Sequence, residues 1–353
     1  MSWSKALLFG AVLLAVPASA GEVRFDEEGH AYHPVWSVDG KWVAFEVNRY
    51  AGDVDLFMSE VTGAIAKDAV RVKLPATSSS FGGSGVVAAN PVWHNEGFAV
   101  FEGSNQGGKY RVYYAMPGGA APLELLPTTK VPGNLTFPTL SADGNTLGFV
   151  TDQSGDGDVR GWNRTNDQFT SYTTAAGSES FPMFSKDGKS LIYSRKQDHT
   201  EDIYVVDLTT MKETRVVGGG GDQSRPVYAA GNKVVYFTSE RGDGKWDLAV
   251  VDTPGGTKRT LAKDVKLPHR ARPALSPDGN WVAFVYDEPS KADAITLVKV
   301  DGSATVTVPT EFKAVGEPAL SLRDGRMRAA FTALPQSGSD WRFLYVIDIT
   351  GKI

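Results

Sequence analysis

The five histidines of the chain are its first candidates for chemistry, and they are not spaced for a metal site. They are His30, His33, His94, His199 and His269. No two of them form a pair such as His-x-x-x-His, which would place two imidazoles on one metal ion. The chain also contains no cysteine. We therefore predict no metal ion and no other cofactor.

A serine nucleophile is the next possibility, but its sequence signature is missing. A nucleophile elbow requires Gly-x-Ser-x-Gly, whereas the nearest string, Gly82-Gly83-Ser84-Gly85, has a different spacing. No segment long enough for a hydrolase domain remains outside the repeats described below. The sequence therefore argues against serine hydrolysis.

Three aspartates form a weak candidate for a calcium loop. Asp152, Ser154, Asp156 and Asp158 place side-chain oxygens at alternate positions, as in the first half of such a loop. The twelfth position, which should carry a bidentate glutamate, is Asn163. The missing ligand favours the alternative, a solvated hairpin connection.

A second weak constellation fits a polysaccharide lyase. Such an enzyme needs a base and arginines that neutralise uronate carboxylates. His33 and His269 could supply the base, and the cations are Arg225, Arg270 and Arg272. The alternative is that all of them are ordinary solvated residues.

The elements that must position these residues come from a unit repeated seven times. It reads Pro-x-bulky-Ser-x-Asp-Gly and is followed by short apolar runs. The anchoring prolines are Pro34, Pro91, Pro138, Pro182, Pro226, Pro273 and Pro318. Seven copies at intervals of about 45 residues predict one four-stranded propeller blade each. We therefore expect an all-β, seven-bladed β-propeller that forms a single domain over residues 21–353.

Each part of the unit has a local physical role. Asp-Gly between apolar runs predicts a tight turn, because glycine accepts positive φ. The aspartates of the clean copies, such as Asp39 and Asp278, are therefore interpreted as turn formers rather than catalytic acids. The bulky residue, such as Trp36, is expected to pack between neighbouring blades. Copies two, five and seven are degenerate in the turn.

Closure of the ring is also predicted. In several repeats a β-rich stretch lies ten residues before the proline, and Val23-Arg24-Phe25 has this offset from Pro34. The chain ends too soon after residues 345–348 to supply that strand itself. We therefore expect residues 22–26 to form the outer strand of the last blade, which removes two sheet edges.

The string Pro-x-Trp-Ser-x-Asp-Gly-Lys-x-Val-Ala-Phe at residues 34–45 resembles the repeats of the TolB-type propeller family. The resemblance extends over nearly the whole chain after residue 20. It implies a propeller but no single function, because the family includes envelope scaffolds, caps of prolyl oligopeptidases and polysaccharide lyases. TolB itself resembles an α/β domain followed by six blades, and the present repeats begin without such a domain.

The residues just before the prolines should recur around one rim of the ring and form a partner-binding surface. With Arg270 added, this predicted rim consists of His33, Asn90, Phe137, Phe181, Arg225, Arg270, Arg272 and Glu317. Their character varies on a repeated scaffold, as is typical of binding loops. The phenylalanines and arginines are residue types that dominate protein interfaces. The alternative for the two phenylalanines is that they only cover the channel mouth.

The first twenty residues read as a signal peptide. Lys5 precedes a short apolar run at 6–16, and Ala18-Ser19-Ala20 forms a small-x-small cleavage site. We expect cleavage after Ala20 and location in the periplasm; the alternative is an uncleaved membrane anchor. The absence of cysteine excludes a lipid-modified N-terminus.

A flexible loop is predicted at 77–85, where the alternatives are simple disorder and a partner-engaging flap.

These observations favour a non-enzymatic periplasmic propeller that binds another cell-envelope protein or peptide. Envelope transport, integrity and motility complexes are the settings that the resemblance implies. The formal charge of −5, with both signs spread along the chain, argues against nucleic-acid binding. The alternative function is a carbohydrate-active enzyme or a glycan-binding propeller that resembles the polysaccharide lyases.

Overall fold

The structure is a computed structural model of the chain. It describes residues 20–25, 28–49, 52–63, 65–74, 85–105, 108–119, 121–127, 129–253, 255–335 and 339–353. Within these residues the regular secondary structure is almost entirely β-strand, and the helical element is a short 3-10 turn at Pro289–Lys291. The predicted all-β class is confirmed.

The third to sixth repeats each form a separate four-stranded antiparallel sheet, with the strands side by side in chain order. Strand bounds are numbered below in chain order. The third repeat contains β11 (Leu135–Leu140), β12 (Thr146–Thr151), β13 (Asp158–Asn163) and β14 (Gln168–Ser171). The fourth contains β15 (Ser178–Phe184), β16 (Ser190–Gln197), β17 (Thr200–Asp207) and β18 (Glu213–Val217).

The fifth contains β19 (Gln223–Ala229), β20 (Lys233–Thr238), β21 (Trp246–Asp252) and β22 (Lys258–Val265). The sixth contains β23 (Ala274–Leu275), β24 (Trp281–Phe284), β25 (Ala294–Lys299) and β26 (Thr305–Pro309).

The first two repeats share one nine-stranded sheet. The first repeat contributes β2 (His30–Trp36), β3 (Trp42–Asn48), β4 (Val54–Thr62), β5 (Ile65–Ala66) and β6 (Val70–Val72). The second contributes β7 (Val87–Trp93), β8 (Ala99–Ser104), β9 (Arg111–Ala115) and β10 (Leu123–Glu124). They are joined where β4 and β7 run parallel at Val54 and Val87. The sequence did not predict this junction.

The last sheet combines both ends of the chain. Its order is β1 (Gly21–Val23), β29 (Phe343–Asp348), β28 (Arg326–Leu334) and β27 (Lys313–Arg323). The N-terminal strand thus lies in the outer position predicted for residues 22–26, although it spans Gly21–Val23. It pairs antiparallel with β29, and Val23 is fully buried.

The turn that recurs in the repeats is built by side-chain hydrogen bonds. In the first repeat, Ser37 Oγ donates to Asp39 Oδ1 at 2.6 Å, and the same oxygen accepts the N–H of Lys41 at 2.9 Å. Ser37 Oγ also accepts the N–H of Trp42 at 2.9 Å. The third, fourth and sixth repeats form the same contacts. The interpretation of these aspartates as turn formers is confirmed.

The bulky residue of the unit lies against the preceding repeat. Trp36 Nε1 donates to the carbonyl of Ala319 at 3.1 Å, and Trp93 Nε1 donates to that of Val35 at 2.9 Å. Both indole rings are buried. This confirms the predicted packing role of these tryptophans.

The degenerate turns face the glycines of the clean turns. The imidazole of His94 in repeat two contacts the carbonyl of Gly144 at 3.1 Å, and Ala230 N–H in repeat five donates to Gly279 O at 3.0 Å. In repeat seven, the Arg328 guanidinium donates to the carbonyl of Gly40 in repeat one. In all three cases a donor in a repeat with a degenerate turn binds the carbonyl of the turn glycine in another repeat. The pairs are repeats two and three, five and six, and seven and one.

Candidate functional site

The residues before the repeat prolines have an unusual backbone. Six of the seven lie in the left-handed region, with φ between 47° and 58°; they are His33, Asn90, Phe137, Phe181, Arg225 and Glu317. In each case the pairing of the first two strands of the repeat shifts at this point. The proline that follows each of these residues has no N–H to donate to the ladder. Such bulges redirect side chains away from the regular pleat.

Four of these residues, His33, Asn90, Phe137 and Phe181, line one cavity, which we call the pre-proline cavity. Its volume is about 430 Å³, and residues from all seven repeats line it. Six members of the predicted rim take part, namely His33, Asn90, Phe137, Phe181, Arg270 and Arg272. Arg225 and Glu317 lie outside its lining. Most of the remaining lining is apolar, with prolines and the bulky residues of the unit.

One side of the cavity carries the predicted phenylalanine pair. The rings of Phe137 and Phe181 lie 4.8 Å apart with an interplanar angle of 55°. The guanidinium groups of Arg225 and Arg272 lie 5.2 and 5.5 Å from the centre of the Phe181 ring. Phenylalanines and arginines of the predicted rim are therefore in direct contact with one another.

Arg272 and Arg225 bind backbone carbonyls. Arg272 donates to the carbonyls of Phe181 at 2.8 Å, Pro182 at 2.8 Å and Pro226 at 3.1 Å. Burial, with the neighbouring Arg225, lowers the pKa of Arg272 to about 9. Arg225 donates to Pro268, His269 and Ala271 in the same way. Both arginines bring charge to this side, but their donors are used within the protein.

Two buried carboxylates beneath the cavity escaped the sequence analysis. Glu46 Oε1 accepts hydrogen bonds from His33 Nδ1 and from the N–H of Asn90, both at 2.8 Å. Burial acts to raise the pKa of Glu46, but His33, the charge of Arg270 and the N–H of Asn90 together outweigh it and hold the pKa below its usual value. The equivalent Glu102 accepts the N–H of Phe137 at 2.6 Å. Burial raises its pKa despite that bond.

The sequence does contain a signal for the position of these two acids. Phe45-Glu46 and Phe101-Glu102 occupy equivalent points of otherwise apolar second strands. A carboxylate inside such a run is costly unless it is hydrogen-bonded. A repeated Phe-Glu in the strand was therefore the signal.

Arg270 differs from the other two arginines. Its Nη1 lies 3.9 Å from Glu102 Oε1, a loose ion pair, and its side chain is partly exposed. It is thus the cavity cation whose donors are least committed to backbone carbonyls. Among the predicted rim arginines it is the best placed to meet an incoming carbonyl or carboxylate.

Glu317 joins three repeats. Its two carboxylate oxygens accept the N–H of His33 at 2.5 Å and the N–H of His269 at 2.7 Å. The acid is itself buried. Its contacts connect the last repeat with the first and the sixth, which is a structural role at the edge of the site.

The calcium-loop aspartates lie apart from the cavity. Asp152 accepts the N–H and side-chain amide of Asn134 at 2.6 Å each, and Asp158 accepts the hydroxyl of Ser154. Asp156 is exposed. In the described part of the chain, no three His, Asp or Glu side chains are grouped as metal ligands.

Two sequence predictions concern segments that lie largely outside the described residues. The signal peptide at 1–20, except Ala20, and the loop at 77–85, except Gly85, lie outside the described residues. No helix in the described ranges is long and apolar enough to cross a membrane.

Comparison with known proteins identifies the repeats. The family model for the TolB beta propeller domain matches residues 76–268 and 134–353. No curated protein matches the sequence. A TolB structure from Agrobacterium tumefaciens is 17% identical with a TM-score of 0.57, over 71% of this chain and 87% of that one.

Two enzyme structures are also similar in fold. Oligogalacturonate lyase from Vibrio parahaemolyticus is 9% identical with a TM-score of 0.61, over 95% of this chain and 93% of the lyase. A puromycin-hydrolysing peptidase from Mycobacterium tuberculosis is 14% identical with a TM-score of 0.64. The match covers 95% of this chain but 55% of the peptidase, so the chain spans about half its length. At these identities the likeness concerns the fold.

Proposed function

The chain belongs to the TolB β-propeller family, and on that premise we propose that it is a periplasmic scaffold that binds a segment of another cell-envelope protein. In this proposal residues 1–20 are an export signal cleaved after Ala20, and residues 21–353 form one seven-bladed ring. The ligand segment lies over the pre-proline cavity. The chain acts by binding and carries out no reaction.

The sheet arrangement supports the ring. Five four-stranded sheets account for repeats three to seven, and the nine-stranded sheet can be divided at the single parallel pair between β4 and β7 into two further blades. The first and last repeats are adjacent, because Trp36 donates to Ala319 and His33 donates to Glu317. The pairing of β1 with β29 then acts as the clasp between the chain ends.

The observation that carries the binding proposal is the convergence of rim residues on one apolar cavity. His33, Asn90, Phe137 and Arg270 come from different repeats yet line the same space. An apolar concavity with a few convergent polar groups is the usual form of a binding site. A contacting aromatic pair and, in the same cavity, a cation with available donors suit an extended peptide, which offers apolar side chains and carbonyls.

Affinity capture from detergent-solubilised envelope tests this proposal. The baits are the mature chain, the double variant Phe137→Ala/Arg270→Ala and the matched control Arg326→Ala, an exposed residue of β28 that is not part of the cavity lining. We expect a protein captured by the wild type and the control to be lost from the double variant, with all three baits melting alike. Equal capture by all baits would contradict the cavity as the binding site.

A second function has one specific observation in its favour. His33 Nδ1 is held by buried Glu46 at 2.8 Å, which orients an imidazole as in acid–base catalysis, and Arg270 lines the same cavity. A lyase acting on uronates would use such a base and cation, and a lyase is among the structures of similar fold. Incubation with polyuronates tests it: an ultraviolet-absorbing unsaturated product that His33→Asn abolishes would favour the lyase over the scaffold.

A further inference from the structure

A second concave site lies between the fourth and fifth repeats, and the proposed function does not use it. We call it the lysine groove. Its volume is about 530 Å³, larger than that of the pre-proline cavity. The fourth repeat supplies one wall through the turn after β15 and the ends of β17 and β18, and the fifth repeat supplies the other through the turn after β19.

Three lysines line the groove, namely Lys186, Lys189 and Lys212. All three side chains belong to exposed residues. Within the described residues, no hydrogen bond and no ion pair engages any of the three ammonium groups. Other lysines of the chain, such as Lys233 and Lys258, are paired with carboxylates.

The two acids of the groove are occupied by their own turns. Asp187 Oδ1 accepts the hydroxyl of Ser185 at 2.7 Å and the N–H of Lys189 at 3.1 Å. Asp207 Oδ1 accepts the backbone N–H groups of Thr209 and Thr210 at 2.9 and 2.8 Å. These bonds, and at Asp187 also the charge of Lys189, lower the pKa of both aspartates. The groove therefore keeps a net positive charge whose donors are available to a ligand.

The rest of the lining mixes polar groups with one aromatic ring and the apolar side chains of Val205 and Ala229. Tyr228 Oη and Ser190 Oγ lie 2.7 Å apart and bridge the two repeats. Thr210, Thr214 and Asn232 add hydroxyl and amide groups. The fifth turn reads Ala229-Ala230-Gly231-Asn232, so it lacks the Ser-x-Asp network that fills the clean turns.

From this lining we infer that the lysine groove binds an anionic saccharide. Hydroxyls, an amide and a phenol ring match the hydroxyls and apolar faces of a sugar, and three ammonium groups match its anionic substituents. The lining has no arginine fork, so the charge contacts are point-like and suit carboxylate and phosphate alike. The volume lies in the range of small-ligand sites.

Calorimetric titration of the mature protein tests this inference with three probes. They are trigalacturonate, which carries carboxylates, trehalose 6-phosphate, which carries a phosphate, and neutral maltotriose. The variant Lys186→Ala/Lys189→Ala/Lys212→Ala is compared with the matched control Lys263→Ala/Lys313→Ala/Lys352→Ala, which removes three exposed lysines elsewhere. Thermal melts show first that both variants are folded.

We expect at least one anionic probe to bind the wild type and the control. Its affinity for the groove variant should be lower by about tenfold or more. The affinity should also fall as salt is raised. The probe that binds more tightly identifies the anionic group. Binding of maltotriose equal to that of the anionic probes, unchanged binding in the groove variant, or no binding of either anionic probe would each overturn the inference. None of these results depends on the pre-proline cavity.

Discussion

At the scale of single residues, buried carboxylates organise the pre-proline cavity. Glu46 lies in a strand that is otherwise apolar, yet it satisfies both the His33 ring and the N–H of Asn90 in the next repeat. A group in this position fixes two rim residues at once. It therefore couples the shape of the cavity to the packing of the first two repeats.

Replacement of Glu46 by alanine should be clearly destabilising. It leaves the N–H of Asn90 and the ring of His33 without their acceptor, at a cost of about 1–3 kcal/mol for each buried group. We expect the midpoint of thermal unfolding to fall by several degrees, since a chain of this size shifts by roughly 1.5 °C per kcal/mol. Glu96→Ala, which removes an exposed acid, is the control. Equal melting of the two variants would contradict the role assigned to Glu46.

A pH effect belongs to the same scale. Burial raises the pKa of Glu179 to about 7, although Arg195 Nε lies 2.5 Å away. Because the folded pKa is above the unfolded value of 4.5, the contribution of Glu179 is fully present below pH 4.5 and is lost as the pH rises through about 7. We expect the stability of the wild type relative to Glu179→Gln to fall across this window in urea titrations at successive pH values. A constant difference would refute the assignment.

At the scale of elements, the sequence predicted what depends on local chemistry. Asp-Gly turns follow from glycine at positive φ, as at Gly40, and the outer strand near Val23 follows from a fixed offset. The contacts of degenerate turns, such as His94 with Gly144, join residues far apart and have no local signal. The same holds for the cavity: the rim positions recur in sequence, whereas Glu46 beneath them is visible only as an isolated charge.

The N-terminal strand gives an element-scale prediction. Val23 is fully buried against β29, whereas its neighbour Glu22 is exposed. Val23→Asp should lower the melting midpoint strongly, since it loses about 1.5–3 kcal/mol of apolar burial and places a charge in the core. Glu22→Asp should leave the midpoint nearly unchanged. Deletion of residues 21–25 should resemble Val23→Asp, and an unchanged melt of that deletion would mean that β1 does not act as a clasp.

At the scale of the whole molecule, the proposed ring depends on the junction between its first and last repeats. Contacts there join residues about 280 positions apart, so they must offset the entropy of closing a long loop. Glu317 is central to the junction because its carboxylate holds the N–H groups of both His33 and His269. Loss of this acid should open the ring at one place before the other sheets are affected.

Hydrogen exchange of Glu317→Ala tests that order of opening. Two buried N–H groups lose their acceptor, which weakens the junction by about 1–3 kcal/mol for each. We expect amides of β1, β2 and β29 to exchange faster, while those of β16 and β17 keep their protection, because local openings have lower free energies than global unfolding. Asp187→Ala, which disrupts the turn of the fourth repeat, should instead act near β16. Faster exchange spread evenly over all sheets in both variants would show that the molecule opens only as a whole. It would contradict the prediction that the junction between the first and last repeats opens first.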